Sequence, residues 1–165
     1  MKKLLMIPLM LLAIALSACG SNNNEEVVEP KTPETPATPG KLDNNTQTSL
    51  NMKITIGNKT ITATMEDNVA AKDLLSRLPI EITLEDFNNT TEKIFYPNPA
   101  LNTKGVKGGC APVPGDITIY APWKNVAIFC KSWSHSNELI KIGHIDGNGI
   151  EALQVAGDIK VKLEK

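Results

Sequence analysis

Met52-Lys-Ile-Thr-Ile-Gly-Asn-Lys-Thr-Ile-Thr-Ala-Thr-Met65 carries two alternating runs about a Gly-Asn pair. Met52, Ile54 and Ile56 alternate with polar residues, and Ile61, Ala63 and Met65 alternate back. Side chains on a strand point to opposite faces in turn, so each run buries one face and wets the other. Gly57-Asn58 between the runs suits a two-residue turn. The segment is a β-hairpin with one buried face.

Working toward the C-terminus, Asp67 or Asn68 can cap a helix with an apolar stripe at Ala71, Leu74, Leu75 and Leu78, which Pro79 ends. Ile80, Ile82 and Leu84 alternate as a strand. Asn88-Asn89 then turns toward another strand at 92–96. Between 97 and 115 lie Pro97, Pro99, Gly105, Gly108, Gly109, Pro112, Pro114 and Gly115, a density of breakers that no regular element tolerates. A loop of this length is either functional or mobile. Strands follow at 116–121, 126–131 and 139–143, then a short helix at 148–153 and a last strand at 158–163. About eight short strands and one or two short helices result. The N-terminal hairpin can pair with the C-terminal strand, and this implies a mainly β, closed, roughly eight-stranded barrel.

Toward the N-terminus the character changes. Lys2 and Lys3 precede an uncharged run, Leu4–Leu16, broken only by Pro8. As a helix this run spans about 20 Å, too short for a hydrocarbon core but of secretory-signal length. Leu16-Ser17-Ala18-Cys19 resembles the bacterial lipobox. That resemblance implies cleavage after residue 18, a lipid on Cys19 and acylation by fatty acids such as palmitate. Several acyl chains make a stable anchor, at about 0.8 kcal/mol per buried CH₂. The organisation expected is a signal peptide at 1–18, a lipidated cysteine and tether at 19–50, and one domain at 51–165. The expected location is the cell envelope, with the chain lipid-anchored to a bacterial membrane and the domain outside the cytoplasm. Pro30, Pro33, Pro36 and Pro39 recur every third residue, which suits a polyproline II spacer. All seven aromatics lie from Phe87 onward, within the 115 residues from Asn51 that suffice for one core.

The chain carries 17 bases against 18 acids. Cleavage would remove Lys2 and Lys3 and no acid, leaving 15 against 18. With no basic surplus to hold phosphates, nucleic acid is excluded as a partner.

These segments, taken in order, resemble the bacterial cyclophilin-like family of small barrels. The stretches that carry the resemblance are 52–58, the helix at 70–78 with Pro79, Thr91-Glu92-Lys93-Ile94 and Gly115-Asp116-Ile117. Further on come Ala121-Pro122-Trp123 with Asn125, Ala127-Ile128-Phe129, 139–143 and 149–153. The resemblance implies a closed cyclophilin-like barrel without an assigned activity; some members sit beside or are fused to flavodoxin-type domains. Cyclophilins isomerise X–Pro bonds with an arginine in a Phe-His-Arg stretch. Here that stretch is missing, and the single arginine is Arg77, on the helix. Lysine cannot reproduce its planar fork, and a shared fold does not transfer activity.

Few side chains carry chemistry. Cys110 and Cys130 are either a disulfide, which would close about 20 residues and stabilise the fold by roughly 3 kcal/mol, or two free thiols. His144 directly follows a strand, near Asp146 and Glu151. It is the sole candidate catalytic residue, a general base, against the plainer reading of a satisfied edge residue. His135 lies in an exposed Ser-rich loop. Cys110, Cys130, His135 and His144 offer zinc-type ligands without paired spacing, so no metal site is assigned, and no cofactor is implied. Trp123 and Trp133 flank one strand and either line a pocket or pack to close the barrel end. Together with Tyr96, Phe129 and His144 they form the expected ligand-binding wall. The function expected is a membrane-anchored binding or accessory module for a small molecule, a peptide or an envelope protein. An enzyme is the alternative, either a non-standard prolyl isomerase or a small hydrolase using His144.

Overall fold

In the computed structural model, which describes residues 50–165, the hairpin is present as β1 (Asn51–Ile56) and β2 (Lys59–Met65). Gly57 supplies the left-handed φ of +56° that the turn demands. The expected signal peptide, Cys19 and the expected tether up to residue 49 lie outside the described residues. Next comes α1 (Val69–Ser76), capped by Asn68, whose side chain accepts from the Ala71 N–H at 2.9 Å. Ala70, Ala71, Leu74 and Leu75 face the core. Six more strands complete the fold: β3 (Ile80–Phe87), β4 (Glu92–Phe95), β5 (Asp116–Tyr120), β6 (Asn125–Phe129), β7 (Leu139–Ile145) and β8 (Ile159–Glu164).

All neighbouring strands are antiparallel, in the closed order β1-β2-β7-β5-β6-β4-β3-β8. The seam is β1 against β8, with Lys53, Ile54 and Thr55 opposite Glu164, Leu163 and Lys162. Alternate residues fill the interior: Met52, Ile54, Leu84, Ile117, Ile119, Ile128 and Ile142 are essentially inaccessible. An eight-stranded barrel is just wide enough for such side chains, so its inside is a packed core.

The sequence reading holds for every strand, with two corrections. The second helix is one 3₁₀ turn, Gly149–Ala152. β7 runs on to Ile145, so His144 lies within the strand rather than after it. Between β4 and β5 the chain forms no regular element beyond one bridge, Cys110 with Ser136. This long loop lies on the barrel wall: Gly109 N–H donates to the Leu139 carbonyl at 2.9 Å. Gly108 permits the approach, since a Cβ there would come 2.2 Å from the Asn137 carbonyl oxygen.

Among the described residues two charged side chains are buried, Lys93 and Asp116. Lys93, on β4, is fully buried and donates to the Val155 and Gly157 carbonyls at 2.6 and 2.7 Å. Its ammonium also lies 3.1 Å from the Asp86 carboxylate on β3. Asp86 in turn accepts from the Gly157 N–H at 2.8 Å. The lysine thus ties the turn before β8 to two neighbouring strands. Buried ammonium donors that lose their acceptors, or the reverse, cost more than the net value of the bonds. Replacement Lys93→Met, which keeps the volume, is expected to lower stability by about 2 kcal/mol, on the order of 10 °C in Tm. Thermal unfolding followed by circular dichroism checks this. An unchanged Tm would remove the role assigned to the lysine.

Candidate functional site

The barrel's outer wall carries a second apolar cluster, separate from the core: Ile94, Ala127, Phe129 and Leu139, with Cys110 and Tyr120 against it. Strand alternation explains it. On β6, Val126 and Ile128 point inward, so Asn125, Ala127 and Phe129 point outward. β6 is therefore buried on both faces. Its outward face forms the floor of a cavity of about 260 Å³.

The cavity walls come from four places in the chain. Phe87 and Asn88 rise from the end of β3, and Glu92 from the start of β4. Tyr120 and Trp123 stand at the β5–β6 turn. Trp133, Ser136 and Glu138 belong to the segment before β7. Trp123 is held edge-on by two rings, with centroids 5.8 Å from Phe87 and 5.4 Å from Tyr120. Edge-to-face pairs of this kind contribute about 1 kcal/mol beyond the area they bury. Trp123 and Trp133 nevertheless stay 51% and 50% exposed, so both offer a ring face to an incoming group.

The backbone beside the cavity is strained. Asn88, Asn89 and Thr90 have φ of +52°, +53° and +57°, and Lys124 has +59°. Non-glycine residues in this region cost about 1 kcal/mol or more each, and such residues cluster at functional sites. The turn at 88–90 is held by Thr90 Oγ1, which donates to Asp86 at 3.0 Å, and by Lys131 Nζ, which donates to the Asn89 carbonyl at 2.6 Å.

The polar groups of the cavity are acidic or neutral. Burial pushes the Glu92 carboxyl above its ordinary value. A hydrogen bond to the Glu138 carboxylate, aided by burial, pushes the Tyr120 phenol up. Asn125, only 2% exposed, has a carbonyl Oδ1 with no hydrogen-bond partner.

Three of the five residues expected to form the ligand wall meet here: Trp123, Phe129 and Trp133. Trp123 lies on the outer wall, not in a plug at the barrel end. Tyr96 and His144 are elsewhere. Tyr96 is four residues along from Glu92, about 13 Å at strand rise, and lines a different hollow with Arg77 and Pro97. His144 is five residues from Leu139, about 17 Å along β7. Phe87, Glu92, Tyr120, Asn125 and Glu138 escaped sequence reading, because only the register of β3, β4, β5 and β6 brings them together. Tyr120 opposite Asn125 was the one available signal, since both end the strands flanking one turn.

His144 has its own arrangement. Its Nδ1 lies 2.8 Å from Asp116 Oδ1, directly across the β5–β7 ladder. The orienting carboxylate is thus Asp116, not Asp146 or Glu151; Asp146 instead accepts from Thr64 Oγ1 at 2.8 Å. Lys141 Nζ reaches the same Asp116 oxygen at 2.7 Å, and the Val113 N–H donates to the other at 3.0 Å. Gly115 packs on the imidazole, where a Cβ would come 2.9 Å from Cε1. Among the described residues no Ser, Thr or Cys side chain hydrogen-bonds the ring. A base without a nucleophile is oriented for proton transfer but not for acyl transfer.

Cys110 and Cys130 are both free thiols, so the disulfide is not formed. Cys130 Sγ points to the Leu153 carbonyl at 3.6 Å and Cys110 Sγ to the Leu139 carbonyl at 3.7 Å. Burial pushes the Cys130 thiol up to about 11, the opposite of an activated nucleophile. His135 lies exposed beside Gly109. Among the described residues no group of three or more His, Cys, Asp or Glu side chains comes together to hold a metal.

The sequence signature of the Cyclophilin-like family matches residues 54–164, from β1 to the end of β8. The chain belongs to the cyclophilin-like family. A similar fold occurs in a hypothetical protein of Archaeoglobus fulgidus solved in solution, at 18% identity and a TM-score of 0.54, covering 70% of this chain and 94% of that one. That likeness concerns the fold alone. No functionally curated protein matches this cyclophilin-like chain.

Asp116 gives this family member a pH signature. Burial alone would raise its carboxyl, but hydrogen bonds from Lys141, the Val113 N–H and His144 hold it below the ordinary value. A depressed carboxyl stabilises the folded chain above its unfolded value, near 4, and that contribution is lost as pH falls through the folded value. Asp73, Asp86 and Asp146 are lowered as well. Asp116→Asn is therefore expected to cost about 2 kcal/mol at neutral pH and to flatten, without abolishing, the fall in stability below about pH 4. Urea unfolding at several pH values checks this, and a slope identical to the parent chain would refute it.

Proposed function

We infer that this cyclophilin-like domain is a binding module of the bacterial cell envelope, held to a membrane through lipid on Cys19. Its ligand is a small molecule or a peptide side chain, taken into the aromatic cavity on the outer wall. The observation that carries this reading is the meeting of Trp123, Trp133 and Phe129 with Phe87 and Tyr120 around one cavity beside strained backbone. A solvated wall gains nothing from two half-exposed tryptophans, whereas a ligand site gains rigid, amphipathic contact area from them. Of the larger hollows, one over β3 and β8, about 440 Å³, contains no aromatic ring, and one beside α1, about 470 Å³, contains Phe95 and Tyr96 but neither tryptophan.

Prolyl isomerisation by the arginine mechanism has no support here. Arg77 is committed to Asp73, at 2.8 and 3.0 Å, and to the carbonyls of Pro99 and Ala100. It lines the hollow beside Tyr96, not the cavity of Trp123. The Asp116–His144 pair favours the enzyme alternative only as far as proton transfer.

Two outcomes are expected. Tryptophan emission should respond saturably to at least one class in a panel of metabolites and short peptides, and Trp133→Ala should weaken that response about tenfold or more. A turnover abolished by His144→Ala, with no ligand for the cavity, would replace this reading by an enzymatic one. In a bacterial host, Cys19→Ser should abolish labelling of the full chain by palmitate and shift it out of the membrane fraction. Retention of the label on the variant would overturn the anchor.

A further inference from the structure

The cavity on the outer wall contains two carboxylates, Glu92 and Glu138, and no lysine, arginine or histidine. The nearest bases in sequence are directed elsewhere. Lys131 donates to the Asn89 carbonyl, Lys124 lines a hollow on the other side of its turn, and Lys93 points into the barrel. The Glu92 carboxylate makes no hydrogen bond or ion pair among the described residues, although the residue is partly buried at the start of β4. A half-buried anion without a partner is unfavourable unless something else neutralises it. Its raised carboxyl, caused by burial with no opposing base, agrees with this.

The floor supplies a second, independent observation. Asn125 is all but inaccessible, and its Oδ1 accepts no hydrogen bond. A buried acceptor left unpaired is uncommon and asks for a donor. Five aromatic rings surround these groups, two of them half-exposed tryptophans, whose faces attract cations. Acidic charge, an empty acceptor and aromatic faces all select the same chemistry.

We propose that this cavity takes a small protonated amine. Glu92 and Glu138 balance its charge, Trp123 and Trp133 cover its alkyl chain, and Asn125 Oδ1 accepts one of its N–H bonds. This rests on the binding reading given above and names its ligand class.

Both tryptophans of the chain line this cavity, so intrinsic tryptophan emission reports on it alone. The full chain is titrated at fixed ionic strength with n-butylammonium chloride, n-butanol, tetramethylammonium chloride and a neutral prolyl peptide. n-Butylammonium is expected to bind about tenfold or more tightly than n-butanol. Tetramethylammonium, which carries charge but no N–H donor, should fall between them. Glu138→Gln, at an exposed position, should weaken n-butylammonium about threefold more than it weakens n-butanol. The double variant Glu92→Gln/Glu138→Gln should bring n-butylammonium down to n-butanol. Equal binding of n-butylammonium and n-butanol by the parent chain overturns the amine and leaves the cavity standing for a neutral ligand. Tetramethylammonium binding as tightly as n-butylammonium overturns the part given to Asn125. No saturable response to any of the four overturns both the amine and the binding reading.

Discussion

Three residue pairs, Lys53, Ile54 and Thr55 against Glu164, Leu163 and Lys162, join the two ends of the described chain into one closed sheet. The seam pairs residues more than a hundred positions apart, so its loop-closure entropy must be offset by what closure buries. What it buries is the whole interior column: Met52 and Ile54 from one side, Val161 and Leu163 from the other, with Leu84, Ile117, Ile119 and Ile128 between. Closure also removes every free strand edge, which an open sheet would expose to a second chain.

A filled interior has a consequence for function. With Ile and Leu side chains packed to the axis, the barrel interior is filled, and the cavity proposed for a ligand lies on the outer wall. There β6 is buried twice, by the core beneath it and by the aromatic cluster above it. The loop between β4 and β5 and the segment before β7 are fastened to each other over this wall by the Cys110–Ser136 bridge and the Gly109–Leu139 hydrogen bond. These contacts place Trp133 and Glu138 at the cavity. The same closure that fills the interior shapes the cavity outside it.

Elsewhere on the wall, Asp116 gathers His144, Lys141 and the Val113 N–H around one buried carboxylate. Its hydrogen bonds are charge-assisted and hold β7 to β5 beside the register shift between Ile117 and Thr118. The imidazole is oriented as a base is oriented in an enzyme, yet it meets Gly115 rather than a nucleophile. These contacts brace β5 against β7. Arg77 is a brace too, fastening the helix end to the loop at 99–100.

The secondary-structure elements are local properties of the chain. Alternation in 52–65 and at Ile80, Ile82 and Leu84 specified strands, because side-chain direction on a strand has a period of two residues whatever surrounds it. The stripe at Ala71, Leu74 and Leu75 and the Asn68 cap specified the helix for the same local reason, and the breakers at 97–115 specified the loop. Barrel closure was legible too, since strand number and the matching ends implied it. Trp123, Phe129 and Trp133 were legible as a wall because all three flank or end one strand. Tertiary structure alone decided the rest. Tyr96 and His144 left the wall because distance along a strand separates residues that a list of aromatics places side by side. Glu92 joined Asn125, and Asp116 joined His144, because register pairs residues remote in the chain, and register is set by the closed sheet as a whole.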